Sequence, residues 1–257
     1  MADNSITIVI PARMASSRYP GKPLVSILGL PLIEHVRRRA LLADVDGLVV
    51  VATCDLAIKE TVEKAGGKAV MTKDTHERCT DRIEEAMESL PGDIVVMVQG
   101  DEPLLMPGAI SAVVAPLLAD PTLPIVNLLS PLESVDDYAN PNIVKAACNL
   151  KGDIIFFSRS SIPFFREKRT VPVYRQTGIM AFRKEALTQF SSLSETALER
   201  AESVDMLRAI EHGIRIAGVV VNYVTIGVDR PSDTGLIETA IANDKIQHDL
   251  FEQISRK

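Results

Sequence analysis

Between Arg13 and Lys22 the chain places two guanidinium groups (Arg13, Arg18), an ammonium group (Lys22), Ser16, Ser17 and Gly21, directly after the apolar run Ile6 to Ile10. Guanidinium forks and an ammonium neutralise adjacent phosphate oxygens, while hydroxyls and backbone amides fill the remaining acceptor sites. A strand that opens into such a loop suits a polyanion, and a nucleotide triphosphate is the natural candidate. The loop is not a P-loop, because Pro23 rather than Ser or Thr follows Gly21-Lys22 and no glycine stands at the required upstream position. Taken alone, the same residues also read as a solvated basic loop at a strand end.

Two acidic turns offer the complementary charge. Val98-Gln99-Gly100-Asp101-Glu102-Pro103 follows the apolar run Ile94 to Val98, and Gly227-Val228-Asp229-Arg230-Pro231-Ser232-Asp233 comes late in the chain. Ligands of parallel sheets sit beyond the carboxyl ends of the strands, so Asp101 is expected at the same edge as the basic loop. Mg²⁺ prefers a few carboxylates together with substrate phosphate oxygens, which makes Asp101 and Asp229 the candidate metal ligands. Capping of the terminal helix is the other reading of Asp229 or Asp233, and Asp233 is the better placed cap. No Ser-His-Asp or Cys-His arrangement competes for the chemistry. Cys54, Cys79 and Cys148 lack paired metal-ligand spacing and read as structural thiols in a reduced compartment. His35, His76, His212 and His248 are scattered and read as surface or boundary residues rather than ligands.

The elements that must position these residues follow from the apolar pattern. Short β-branched runs at Ile6 to Ile10, Leu48 to Ala52, Ile94 to Val98 and Pro124 to Leu129 alternate with helical patterns over Leu32 to Leu42, Leu56 to Ala65, Thr80 to Ser89 and Ala109 to Leu118. That alternation argues for an α/β fold with parallel strands covered by helices. Beyond residue 130 it loosens, with strands expected at Ile143 to Ala147, Ile154 to Phe157, Tyr174 to Phe182 and Ile214 to Val221. One helix is expected from Ser194 to His212, stopped by Gly213, and a terminal helix from Thr234 to Ile254. The organisation expected is one domain over residues 1–257, with a small inserted subdomain at about residues 130–190 for acceptor binding and dimerisation.

Composition narrows the class of function. The chain of 257 residues is 46% hydrophobic and 24% charged, enough for a full core, and its formal net charge is −6. With Lys and Arg dispersed outside the first loop, no basic face for nucleic acid is expected. No run approaches the length of a membrane span and no secretory pattern opens the chain, so a cytoplasmic protein without a membrane partner is expected.

The basic loop, the Val98 to Pro103 turn, Asn140-Pro141-Asn142-Ile143-Val144-Lys145, Phe157-Ser158-Arg159-Ser160-Ser161-Ile162-Pro163 and the Gly227 to Asp233 turn together resemble the 3-deoxy-manno-octulosonate cytidylyltransferases, also called CMP-Kdo synthetases. These motifs stand in family order from residue 5 to residue 240. The resemblance implies a nucleotide-diphospho-sugar transferase-like, Rossmann-like mixed sheet flanked by helices. It also implies Mg²⁺-dependent coupling of CTP to a 3-deoxy-ulosonic acid with release of pyrophosphate, a place in lipopolysaccharide biosynthesis, and a homodimer. Carried over by position, Arg13, Arg18 and Lys22 match triphosphate-binding residues, with Pro11 and Ala12 beside them. Thr80, Asp81 and Arg82 match the end of a nucleotide-holding Ser-Gly-Thr-Asp/Glu-Arg segment, and Gln99 matches a residue at the junction of cytidine and acceptor. Asp101 and Asp229 match the metal-binding aspartates, and Arg159 a residue near the acceptor. Arg13, Lys22, Asp101 and Asp229 are thus the expected catalytic set.

The departures fall on the acceptor side. Arg78-Cys79 stand where the family has Ser-Gly, Gln176 and Met180 where it has His and Tyr, and Asp205 and Met206 where it has Glu and Gln. A thioether does not donate to a hydroxyl, so the substitutions point to an acceptor presenting fewer hydroxyls near Met180 and Met206, with core packing as the other reading of both methionines. Arg78 offers charge to such an acid or faces solvent. The function expected is a CTP-dependent transfer to 3-deoxy-manno-octulosonate (Kdo) or a related ulosonic acid. Another acidic acceptor, such as a modified ulosonate or a phosphonate, is the alternative. A catalytically silent nucleotide-binding protein is disfavoured, because it has no need of both aspartates and all three cations.

Overall fold

In the computed structural model the described residues are 5–16, 18–168, 171–223 and 226–256, and Ser17 of the basic loop lies outside them. The chain divides into two units, residues 1–111 with 225–257, and residues 112–224. The first unit opens with β1 (Ile6–Ala12), a single 3₁₀ turn at Lys22–Leu24, a hairpin of β2 (Ser26–Ile27) and β3 (Leu30–Pro31), and α1 (Leu32–Ala40). It continues with β4 (Gly47–Thr53), α2 (Leu56–Lys64), β5 (Lys68–Met71), α3 (Cys79–Met87) and β6 (Ile94–Met97), after which α4 (Gly108–Ala119) leads into the second unit.

Every residue of β1 is buried, because parallel β4 and β6 flank it on either side. β5 extends the same parallel order beyond β4. Apolar faces of the helices complete this core: Ile33 and Val36 from α1, Ile58 and Val62 from α2, and Ile83 and Ala86 from α3 are at most 1% exposed. The apolar spacing read from the sequence locates β1, β4, β6 and α1 to α3 to within two residues at each end, whereas β5 carries no such signal and was not expected.

The second unit contains β7 (Ile125–Pro131), α5 (Val135–Ala139), β8 (Lys145–Cys148), β9 (Ile154–Ser158), β10 (Tyr174–Arg183), α6 (Lys184–Ser192), α7 (Ala197–Glu202), α8 (Met206–Glu211) and β11 (Ile216–Val220). β11 pairs with β7 in parallel, whereas β7 to β10, β10 to β8 and β8 to β9 are antiparallel. The fold is a mixed α/β fold, parallel in its first half. The chain then returns to the first unit as α9 (Asp233–Asn243) and α10 (Lys245–Ser255).

Two long helices expected from periodicity are each broken in two. Ser203 has left-handed backbone (φ 51°), and the carbonyls of Glu202 and Ser203 accept hydrogen bonds from the Arg159 guanidinium at 2.6 and 3.2 Å, ending α7 before α8 begins. Asp244 is extended and its carboxylate accepts the amides of Ile246 and Gln247, so it starts α10 as a cap instead of continuing α9. In both places the apolar spacing persists through the break, which is why sequence periodicity did not register it.

Candidate active site

Because β1, β4 and β6 are parallel, with Ala12 level with Thr53 and Val9 level with Met97, three segments leave the sheet at one edge: Arg13 onward, Cys54-Asp55 and the Gln99 to Asp101 turn. Gly100 is required there, since a Cβ at that position would stand 2.6 Å from the Pro11 carbonyl oxygen. The close approach sets Asp101 beside the root of the basic loop.

The loop folds back on itself around Met14. The Gly21 amide, on a residue with φ of 77°, donates to the Met14 carbonyl at 2.9 Å, and the Met14 amide donates to Asp55 Oδ2 at 2.8 Å. The late turn is held just as firmly. The Val228 amide donates to the Asp101 carbonyl at 2.8 Å, and Asp233 Oδ2 accepts the amides of both Asp229 and Arg230 at 2.8 Å. Burial opposes ionisation of Asp233, but these amides outweigh it and hold its carboxyl below the ordinary aspartate value. Asp233 thus serves its preceding turn, leaving the Asp229 side chain free to face the basic loop.

The charges that converge are paired with one another. Lys22 Nζ donates to Asp101 Oδ2 at 2.6 Å and to the Val228 carbonyl at 2.9 Å, and lies 3.8 Å from Asp229 Oδ1. Arg18 Nη2 donates to the same Asp229 oxygen at 2.9 Å, and Arg13 Nη1 reaches the His76 carbonyl at 3.4 Å. They border a cleft of about 280 Å³, formed within the first unit and lined also by Pro11, Ala12, Arg78, Cys79, Arg82 and Gln99. Five Lys or Arg side chains face three carboxylates around it, an excess of positive charge suited to an anion. Arg82 is 3% exposed; its Nη1 bonds to Thr72 Oγ1 and the Lys73 carbonyl, while its Nη2 has no hydrogen-bond partner.

Among the described residues no three His, Cys, Asp or Glu side chains gather as a metal site. Asp101 and Asp229 nevertheless approach a common point, the Lys22 ammonium, at 2.6 and 3.8 Å. Two carboxylates with room for phosphate oxygens are the donor set that Mg²⁺ favours.

Some expectations need correction. Thr80 is fully buried and does not line the cleft, whereas its neighbours Arg78, Cys79 and Arg82 do. His76 lines the cleft, with Nε2 bonded to Glu85, and His35 is a core residue stacked on Phe251 at 5.6 Å. Sequence reading assigned both to the surface or its boundary, which holds for the half-buried His76 and fails for His35. It also gave no role to Asp55, whose only signal was its place just past β4.

Of the acceptor-side candidates, Arg78 and Gln99 line the cleft of the first unit, whereas Arg159, Gln176, Met180, Asp205 and Met206 belong to the second. Arg159 is committed to backbone carbonyls: Nε to Glu202, Nη1 to Pro141 at 3.1 Å and Nη2 to Ser203. Gln176 Nε2 donates to Asn127 Oδ1 at 2.9 Å, and Asp205 is half-buried where α8 starts. Met180 and Met206 are 4% and 0% exposed, the burial of packed core residues.

A model of the Cytidylyltransferase family matches residues 7–216. A 3-deoxy-manno-octulosonate cytidylyltransferase of Geobacter metallireducens is 41% identical over 239 residues, covering 89% of this chain and 94% of its own. That of Syntrophotalea carbinolica is 42% identical over 243 residues, covering 91% and 97%. Among solved structures, a CMP:2-keto-3-deoxy-manno-octonic acid synthetase complexed with CTP superposes with a TM-score of 0.89 at 39% identity, covering 93% of this chain and 98% of the other. The inositol-1-phosphate CTP transferase from T. maritima shares the fold, with a TM-score of 0.64 at 16% identity over 96% and 95% of the two chains.

Proposed function

Since the chain belongs to the 3-deoxy-manno-octulosonate cytidylyltransferase family, we propose that its cleft takes CTP and that the protein joins the cytidylyl group to an oxygen of 3-deoxy-manno-octulosonate. The observation that carries this reading is the convergence of Arg18, Lys22, Asp101 and Asp229 at a cleft lined also by Arg13, Arg78 and Arg82. Arg13, Arg18 and Lys22 hold the triphosphate. Arg82 donates to an acceptor atom of the nucleotide, and Gln99 lies between nucleotide and acceptor.

The acceptor oxygen attacks the α-phosphorus in line, a P–O bond forms, the bond to the β-phosphate oxygen breaks, and pyrophosphate leaves as the hydroxyl proton is lost. Asp101 and Asp229 would hold a divalent cation, Mg²⁺ by donor chemistry, which when bound neutralises phosphate charge. For such transfers most acceleration comes from positioning and charge neutralisation, so no protein nucleophile is needed. Lys22 must exchange its carboxylate partners for phosphate oxygens as CTP enters.

Burial of Met180 and Met206 supports their reading as packing residues, which leaves the family acceptor in place despite the substitutions. The segment at about residues 130–190 carries the protein's association into a homodimer, with the exposed Phe164 and Val135, 87% and 78% accessible, as its apolar contact.

The test is pyrophosphate release with CTP, Mg²⁺ and, in parallel, Kdo, amino-modified ulosonates and small phosphonates, with the CMP product identified by mass spectrometry. Kdo is expected to give the highest kcat/KM. A higher value for another acid assigns that acid instead, and no pyrophosphate with any of them overturns the reading.

A further inference from the structure

Asp55 immediately precedes α2, the position where an aspartate ordinarily caps a helix, yet its side chain makes no capping bond there. Its Oδ2 instead accepts the Met14 amide at 2.8 Å, 41 residues away in sequence. The other side of Met14 is fixed as well, because its carbonyl accepts the Gly21 amide at 2.9 Å. One residue thereby joins the end of β4 to both arms of the basic loop: Arg13 precedes Met14, and Lys22 follows Gly21. Asp55 itself is set by its amide donating to Thr53 Oγ1 at 3.1 Å, and Thr53 is fully buried at the end of β4. The carboxylate does not line the cleft, so any effect on the ligand must pass through the loop.

We propose that Asp55 is a positioning residue for the triphosphate site, holding the Met14 amide so that Arg13 and Lys22 are aimed before CTP arrives. The proposal rests on the CTP reading above. Without the tether the loop must be ordered at the moment of binding, and the lost conformational freedom appears as weaker affinity rather than slower chemistry.

The experiment compares Asp55→Ser and Asp55→Asn with the wild type. Serine caps a helix as well as aspartate does, but its shorter side chain falls short of Met14, so it separates the fold from the loop. Asparagine keeps an acceptor oxygen at the right distance and loses only the charge. Calorimetric titration with CTP in EDTA, steady-state KM and kcat, and thermal unfolding are measured on each. For D55S the expected result is an unchanged melting temperature with Kd and KM for CTP raised about tenfold, equivalent to about 1.4 kcal/mol, and a smaller change in kcat. D55N is expected to stay within about threefold of the wild type. Wild-type protein that binds CTP alongside an equally tight D55S overturns this inference alone, as does a D55N as weak as D55S. Wild-type protein that binds no CTP overturns the proposed function with it.

Discussion

At the level of single residues, the cleft is built from charges that neutralise one another until a ligand separates them. Lys22 is only 15% exposed and bonds Asp101 at 2.6 Å, so the aspartate competes with phosphate for the same ammonium. Asp101→Asn is therefore expected to abolish turnover, because an amide loses the charge that holds a divalent cation, yet to bind CTP in EDTA at least as tightly as the wild type. Calorimetry beside a turnover assay checks both halves, and weaker metal-free binding would remove the competition argument. Lys22→Ala removes a charge-assisted bond of roughly 1.5–3 kcal/mol and should weaken CTP binding about ten- to a hundredfold, read from the same titration. The residue types gathered at this cleft were legible because a basic loop and paired carboxylates stand out by composition and spacing. Arg159 shows the converse: its guanidinium bonds backbone carbonyls, and sequence does not say which acceptors surround such a group.

At the level of elements, buried polar contacts determine where helices stop and how they dock. In the second unit Glu199 of α7 and Arg208 of α8 form a bidentate pair at 2.6 and 2.8 Å, with Glu199 fully buried and the guanidinium 4.8 Å from the Phe190 ring centroid. Glu199→Gln leaves that guanidinium uncompensated and should cost roughly 3–5 kcal/mol, measurable as a lower urea midpoint. In the first unit His35 of α1 is buried against Phe251 of α10. Burial lowers its pKa to about 4, with the Arg39 and Arg38 charges adding to the effect and the Ile27 carbonyl opposing it. A histidine depressed from its unfolded value contributes stability that is fully present above about pH 6.5 and is lost as pH falls toward 4, by roughly 3 kcal/mol. Unfolding midpoints across that range should decline for the wild type and far less for His35→Gln. A flat wild-type profile would show that the fold leaves the ring's pKa unshifted.

Across the whole molecule, the candidates for CTP and its metal all fall in residues 1–111 and 225–257, whereas those for the acceptor are divided, with Arg78 and Gln99 in that unit and Arg159, Gln176, Met180, Asp205 and Met206 in residues 112–224. Light scattering is expected to report twice the 28.0 kDa chain mass, and Phe164→Glu should return the monomer by placing a charge in the apolar contact; a monomeric wild type rules out this association. Sequence alone determined the central strands and the helices of the first half, since their apolar periods of two and 3.6 residues leave little choice of element, but it missed the β2–β3 hairpin and β5, which are short and partly exposed. It also carried residue types suited to phosphate and a divalent cation, and through its ordered motifs the cytidylyltransferase class. Only the tertiary structure decided that two expected helices are interrupted, because the interruptions depend on Arg159 and Asp244 satisfying backbone groups that periodicity does not record. It alone decided that Asp55 and Asp233 hold backbone amides of the site, that His35 is core and that Met180 and Met206 are packed away. Local sequence carries propensity and chemical type, whereas a side chain's partner is set by which distant segments a parallel sheet brings to the same edge.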